Sequence, residues 1–158
     1  MKEFVLGMTG VEWVLLGGAL AAFGGGLGSA IGLSTIGNTA AGIIAEDGEK
    51  FGKVLPLAAM PSTQGIYGFI TALLALFTLD ADLTLSATEG MRVFFACMPV
   101  ALLCAVSGIY QGAVAVGAAG MVAKKDENAG KSLIFPALVE TYAVLAFSIS
   151  ILMLNALR

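Results

Sequence analysis

Four long apolar segments make up most of this 158-residue chain and limit what it can fold into. They cover residues 13–45, 54–79, 93–123 and 133–157. Each exceeds the ~20 residues that a helix needs to cross the hydrocarbon core of a bilayer, and the two-residue alternation of strands is missing. Only 12% of the residues are charged and 58% are apolar, which is far from the composition of a soluble domain. We therefore predict an all-α membrane protein with four transmembrane helices.

The second half of the chain repeats the first. A shift of 78 positions places Ser29 on Ser107, and a shift of 76 positions places Gln64 on Glu140. Two similar hairpins in the same orientation are typical of a parallel internal repeat. We therefore predict two duplicated helical hairpins within one integral membrane domain. They cover residues 1–86 and 87–158.

Basic residues are concentrated in two of the three polar loops, which cover residues 46–53 and 124–131. Five of the eight lysines and arginines lie there. They are Lys50, Lys53, Lys124, Lys125 and Lys131. The positive-inside rule predicts that these two loops face the cytoplasm of the cell. The third loop and both termini are then expected on the opposite side of the cell membrane.

Small residues recur at four-residue spacing in the first and third segments. They are Gly24, Gly28 and Gly32 in the first and Cys104, Gly108 and Gly112 in the third. Small residues at this spacing let helix backbones approach closely in lipid. A single bundle needs only one or two close contacts, so these two faces predict association with further copies of the chain. The alternative is the general enrichment of glycine in membrane helices.

The composition excludes several classes of function. The chain has no histidine, which removes the commonest general base and the commonest metal ligand and argues against most hydrolases and zinc sites. Its few basic residues form no cluster, so nucleic acid is not expected as a partner.

Glu140 is the only carboxylate within the four apolar segments. A charged side chain near the centre of a bilayer costs about 2.5–3.5 kcal/mol on insertion scales. Such a residue persists where a proton, a cation or a partner neutralises it. The sequence therefore predicts an ion path at this position.

Other oxygen-bearing side chains accompany Glu140 in the membrane. On the second segment a set at spacings of three, four and seven residues shares one helix face. It consists of Met60, Thr63, Gln64 and Tyr67, and Gln111 lies on the third segment. Carboxylate, amide and hydroxyl oxygens are hard ligands that suit an alkali cation, and a tyrosine hydroxyl can orient the carboxylate. The alternative is that the polar side chains only form hydrogen bonds between helices.

Three motifs carry a family resemblance that covers nearly the whole chain. They are residues 61–69 (PSTQGIYGF), Gln111-Gly112 and residues 139–143 (VETYA). They closely resemble the proteolipid subunit K of bacterial sodium-translocating V-type ATPases. The resemblance implies a rotor ring of identical, non-catalytic subunits with one ion bound by each. The stretch departs from the expected pattern at Ser62, where glycine is expected, and at Met60, where leucine is expected.

The resemblance also implies a ligand set and partners. The implied Na⁺ ligands are the Met60 carbonyl, Thr63, Gln64, Gln111 and Glu140, with Tyr67 bonded to the glutamate. The implied partners are a stator membrane subunit with an arginine, a central-stalk subunit at the cytoplasmic loops, and lipid. Two alternatives remain at this point. One is a proton-specific rotor ring that uses H⁺ instead of Na⁺, and the other is a proton-coupled small multidrug exporter with a single membrane glutamate.

Overall fold

The computed structural model describes residues 6–79 and 84–157, and all regular elements in this part of the chain are helical. The α-helices are α1 (Gly10–Glu46), α2 (Phe51–Ala59), α3 (Thr63–Leu76), α4 (Ala87–Lys124), α5 (Ala129–Ser132) and α6 (Ile134–Ala156). Short 3₁₀ turns lie at Gly48–Lys50, Met60–Ser62 and Asp126–Asn128. The predicted all-α fold class is confirmed.

Three helical stretches are long and apolar enough to cross a membrane. They are Gly10–Glu46, Ala87–Lys124 and Asp126–Ala156. The second predicted transmembrane helix differs from expectation, because the turn at Met60–Ser62 divides it into α2 and α3, of 9 and 14 residues. Pro61 lies in this turn; proline lacks the backbone N–H that a continuous α-helix would use. The backbone nevertheless stays helical there, with φ −53° and ψ −44° at Met60.

The two longest helices begin in the same way. Thr9 precedes α1 and Ser86 precedes α4, and each forms a reciprocal capping box with a glutamate three residues later, Glu12 or Glu89. The side-chain hydroxyl and the glutamate each satisfy a backbone N–H that the first helical turn leaves free. The two repeats therefore share the signal that starts their first helix.

Helices α1 and α4 run side by side in the same direction, with their backbones in contact. A Cβ added at Gly24 would overlap the Ala101 carbonyl, one at Gly28 would overlap Cys104, and one at Gly32 would overlap Gly108. The contacts advance together along both helices, as a parallel repeat requires.

The two small-residue faces are thus occupied by each other within one chain. Both faces are used by the close approach of α1 and α4. They therefore do not themselves form the contact with further copies that the sequence analysis predicted for them. Other glycines of these helices have no atom of the described chain within 4 Å of an added Cβ. They are Gly26, Gly37, Gly42, Gly117 and Gly120.

The remaining long helices pack on this central pair. Helix α3 lies against α1, where a Cβ at Gly25 would overlap the Gln64 carbonyl. Helix α6 packs against α4, and the Tyr67 and Phe147 rings stack at 4.8 Å between α3 and α6. Cys97 and Cys104 are free and buried in this core.

The two lysine-bearing loops lie together at one end of the bundle. Lys50 donates to the Ala123 carbonyl at 2.5 Å, and Lys53 pairs with Asp126 at 2.6 Å. Each lysine belongs to the first hairpin and each partner to the second. The two loops that the sequence placed on the same side of the membrane are therefore neighbours. Asp80 and Asp82 of the third loop lie outside the described residues.

We predict that Gly28→Ala destabilises the folded chain, because the new methyl group would overlap backbone carbonyls of α4. Overpacking of this kind costs about 1–3 kcal/mol. Thermal unfolding of the detergent-solubilised protein, followed by circular dichroism, should show a lower Tm. The matched control is Gly52→Ala, near the start of α2, where no described atom lies within 4 Å of the added Cβ. An equal loss of stability in both variants would contradict the role of the α1–α4 contact.

Candidate cation site around Glu140

The interruption between α2 and α3 brings oxygen atoms together. The Met60 carbonyl accepts a hydrogen bond from the Thr63 hydroxyl at 3.2 Å. Helix α3 starts at Thr63, and the backbone N–H groups of a first helical turn lack partners within their own helix. One of them, the Gly65 N–H, donates to the Ser29 hydroxyl of α1 at 2.7 Å. The turn is thus held by a side chain from a neighbouring helix.

Glu140 is the seventh residue of the 23-residue helix α6 and is half-buried. The Tyr67 hydroxyl donates to its Oε1 at 3.1 Å, and the Gln111 side-chain Nε2 donates to its Oε2 at 2.8 Å. Each carboxylate oxygen therefore has a neutral donor from a different helix. The two ion pairs in the described ranges, Lys50–Asp47 and Lys53–Asp126, lie at the loops.

A chain of side-chain amides continues from the carboxylate into the bundle. Gln111 Nε2 also donates to the Pro136 carbonyl at 3.1 Å. Gln64 Nε2 donates to Gln111 Oε1 at 2.6 Å and to the Ser107 hydroxyl at 3.3 Å. Both glutamine side chains are fully buried. All of their N–H groups find acceptors, as buried polar groups require.

The chemistry of the partners determines which way each amide points. A carboxylate and a backbone carbonyl can only accept, so Gln111 must direct its nitrogen at Glu140 and Pro136. Its oxygen then faces Gln64, which must in turn present its nitrogen. The Gln64 oxygen is left on the side of the Thr63 hydroxyl, 3.4 Å away.

All six residues predicted for the site belong to this one network. The Met60 carbonyl, the Thr63 hydroxyl and the Gln64 Oε1 lie together at the turn. Gln111 is placed differently from the expected oxygen ligand, because its nitrogen and not its oxygen faces Glu140. A carbonyl oxygen has two lone pairs, so Gln111 Oε1 keeps one for a further partner. The ligand set itself stays a prediction.

Three groups of the network were not predicted as part of the site. They are the Ser29 and Ser107 hydroxyls and the Pro136 carbonyl. A signal for the two serines was present in the sequence, because they align with each other in the repeat. A carbonyl acceptor on α6 leaves no comparable signal, since every residue has one.

Glu140 also borders the outer surface of the chain. Together with Ala137, Thr141, Val144 and Leu145 it lines a shallow depression on α6. The surrounding surface is apolar, and Leu145 is 65% exposed. The carboxylate therefore lies between the buried amide chain and a hydrophobic surface.

Comparison with known proteins gives a family match. The family model for the C subunit of ATP synthase matches residues 16–75 and again residues 94–153. One match falls in each half of the chain, as the internal repeat leads us to expect.

Two curated relatives cover most of the chain. It is 43% identical over 158 residues to the V-type sodium ATPase subunit K of Enterococcus hirae, covering 99% of this chain and 100% of that protein. It is 39% identical over 139 residues to the A-type ATP synthase subunit K of Methanocaldococcus jannaschii, covering 88% of this chain and 60% of that protein. The resemblance found in the motifs is thereby confirmed. The chain belongs to the family of ATP synthase C subunits, the membrane rotor subunits of rotary ATPases.

Proposed function

We propose that this chain is a non-catalytic subunit of the rotor ring of a V-type rotary ATPase and carries one Na⁺ at Glu140. The observation that carries the proposal is the hydrogen-bond network around a single membrane carboxylate. Tyr67 and Gln111 donate to its two oxygens, and the 3₁₀ turn at Met60–Ser62 brings further oxygens into the same network. The sodium ATPase named in the Enterococcus hirae relative agrees with the choice of ion.

The donor set favours Na⁺ over a transition metal. The Met60 carbonyl, the Thr63 hydroxyl, the amide oxygens of Gln64 and Gln111 and the Glu140 carboxylate are all hard ligands. Among the described residues, no group of three or more His, Cys, Asp or Glu is placed to hold a metal ion. One carboxylate supplies one negative charge, which matches a monovalent cation.

Neutralisation of Glu140 is the central step of the proposed mechanism. The carboxylate takes up Na⁺ from one half-channel of a stator membrane subunit, and the bound ion cancels its charge. The loaded subunit then passes through lipid without the cost of exposing a charge. A stator arginine promotes release into a second half-channel. Moving one charge through 100 mV is worth about 2.3 kcal/mol. Several ions must therefore cross the membrane for each ATP that is hydrolysed or synthesised.

The outer surface of the chain supports its assembly into a ring in lipid. Large apolar side chains are exposed on every long helix, including Phe23 on α1, Phe69 on α3, Leu102 on α4 and Leu152 on α6. Patches of this extent mark contacts with lipid or protein partners. The glycines of α1 and α4 that have no contact within the chain allow close approach of a neighbouring copy.

The orientation follows from the paired lysine loops. We place residues 46–53 and 124–131 in the cytoplasm, where they meet the central-stalk subunit, and the termini on the other side. The hydrogen bonds of Lys50 and Lys53 across the two loops support a shared surface for that contact.

A proton-specific ring is the main alternative, because a proton can neutralise the same carboxylate. The proposed set of oxygen ligands favours Na⁺. A proton on Glu140 needs one hydrogen-bond acceptor and does not need the four further ligands. Membership of the rotor family argues against a small multidrug exporter.

We predict that Na⁺ slows the modification of Glu140 by a carbodiimide at fixed pH. A carbodiimide reacts with the protonated carboxyl group, and bound Na⁺ keeps this group deprotonated and occupied. The labelling rate of the purified subunit assembly should fall with increasing Na⁺, as measured by mass spectrometry. Glu140→Gln is the control for the labelled position and should remove the signal. Labelling that stays constant at every Na⁺ concentration would instead support the proton-specific ring.

We further predict that Tyr67→Phe weakens Na⁺ binding, because it removes the 3.1 Å hydrogen bond to Glu140 Oε1. A net hydrogen bond of about 1 kcal/mol corresponds to roughly a fivefold change in affinity. The Na⁺ concentration for half-maximal protection from the carbodiimide should rise by about that factor. Tyr142→Phe is the matched control, since Tyr142 is 61% exposed on the same helix as Glu140. A similar rise in both variants would contradict the role of Tyr67.

A further inference from the structure

Two serines hold the residue pair Gln64–Gly65 from different helices. Ser29 of α1 accepts a hydrogen bond from the Gly65 backbone N–H at 2.7 Å. Ser107 of α4 accepts one from the Gln64 side-chain Nε2 at 3.3 Å. Both serines are buried, with 7% and 5% of their surface exposed. A polar group at such a position is retained where it has a partner to satisfy.

The two serines occupy equivalent positions of the repeat but accept hydrogen bonds from different kinds of group, a backbone N–H and a side-chain amide. If the hairpins were equivalent, Ser107 would hold the backbone of Thr141, which aligns with Gly65 at the shift of 76 positions. Thr141 lies inside α6, where a backbone N–H bonds to the preceding turn of its own helix. Ser107 is therefore free to contact the first hairpin. Both serines converge on the same two residues of α3.

Each serine satisfies a group that determines where an oxygen points. Ser29 fixes the backbone of the first turn of α3, directly after the turn that carries the Met60 carbonyl. The Gln64 side-chain amide has two N–H groups. Gln111 accepts from one of them and Ser107 from the other. With both satisfied, the Gln64 oxygen remains on the side of Thr63.

We propose that Ser29 and Ser107 are positioning residues of the cation site, which raise its affinity for Na⁺ without contacting the ion. The inference rests on the proposed function, because it assumes that Na⁺ binds at Glu140. Groups that orient ligands from outside the site commonly have large effects on ion affinity. The donors to the carboxylate itself, Tyr67 and Gln111, form no direct hydrogen bond with either serine in the network.

The test compares Ser29→Ala and Ser107→Ala by carbodiimide labelling of Glu140 in the purified subunit assembly. In each variant, the Na⁺ concentration for half-maximal protection should rise about fivefold, the equivalent of one hydrogen bond. The labelling rate without Na⁺ should stay at the wild-type value, because the carboxylate keeps both of its donors. A merely structural disturbance would change that rate as well.

Two further variants serve as controls. Ser34→Ala removes a hydroxyl on α1 that bonds only to the Ile31 carbonyl of its own helix, and it should leave the protection curve unchanged. Ser107→Cys keeps a side chain of similar size with a weaker acceptor. Its half-protection concentration should fall between those of the wild type and Ser107→Ala. It also decides the question if Ser107→Ala does not assemble.

The outcomes separate the two proposals. If Na⁺ protects the wild type and the serine variants show the same curve, the inference is overturned and the proposed function stands. If the variants change the rate without Na⁺ as much as the rate with it, the inference is also overturned. If Na⁺ does not protect the wild type, the proposed function fails and the inference fails with it.

Discussion

The backbone contact between α1 and α4 is the constraint on which the rest of the structure depends. In lipid there is little hydrophobic force between helices, so close packing must supply the attraction. Gly28 and Gly108 allow the two helices to touch along their backbones. This contact brings Ser29 of the first hairpin and Ser107 of the second within reach of the same turn of α3. The glycines therefore act on the site indirectly, by setting the distance between its two sides.

Burial then makes the amide chain directional. Gln64 and Gln111 are fully buried, and a buried amide group without a partner costs about 1–3 kcal/mol. The acceptors at one end, Glu140 and the Pro136 carbonyl, leave a single arrangement in which every N–H is satisfied. The acceptors on α6 thus determine the orientation of the Gln111 amide on α4. The Gln111 amide in turn determines the orientation of the Gln64 amide on α3. A cation at the Met60–Ser62 turn would therefore face the Gln64 oxygen rather than its nitrogen, because of acceptors on another helix, α6.

Much of the fold could be predicted from the sequence, because membrane helices and repeats leave long-range signals. The apolar segments, the duplication and the face shared by Thr63, Gln64 and Tyr67 all follow from spacing alone. The 3₁₀ turn at Met60–Ser62 was missed because a proline alone does not indicate one. Pro56 and Pro99 lie inside α-helices that continue through them. The occupant of the glycine faces was assigned to other copies of the chain, since spacing indicates close packing but does not identify the partner. The capping boxes at Thr9 and Ser86 were not predicted, although the sequence contains their pattern of Ser or Thr followed three residues later by Glu.

The glutamine in place of a second membrane carboxylate follows from the same network. Gln64 donates to the Gln111 oxygen at 2.6 Å, and an ionised glutamate there would bring two acceptors together with no proton between them. It would also place a second negative charge close to Glu140, which raises the cost of ionising either group. An amide at this position supplies both a donor to Gln111 and an oxygen toward Thr63. Duplication with one carboxylate thus produces one candidate site from two hairpins. Gln64, at the position equivalent to Glu140, supports the network around Glu140.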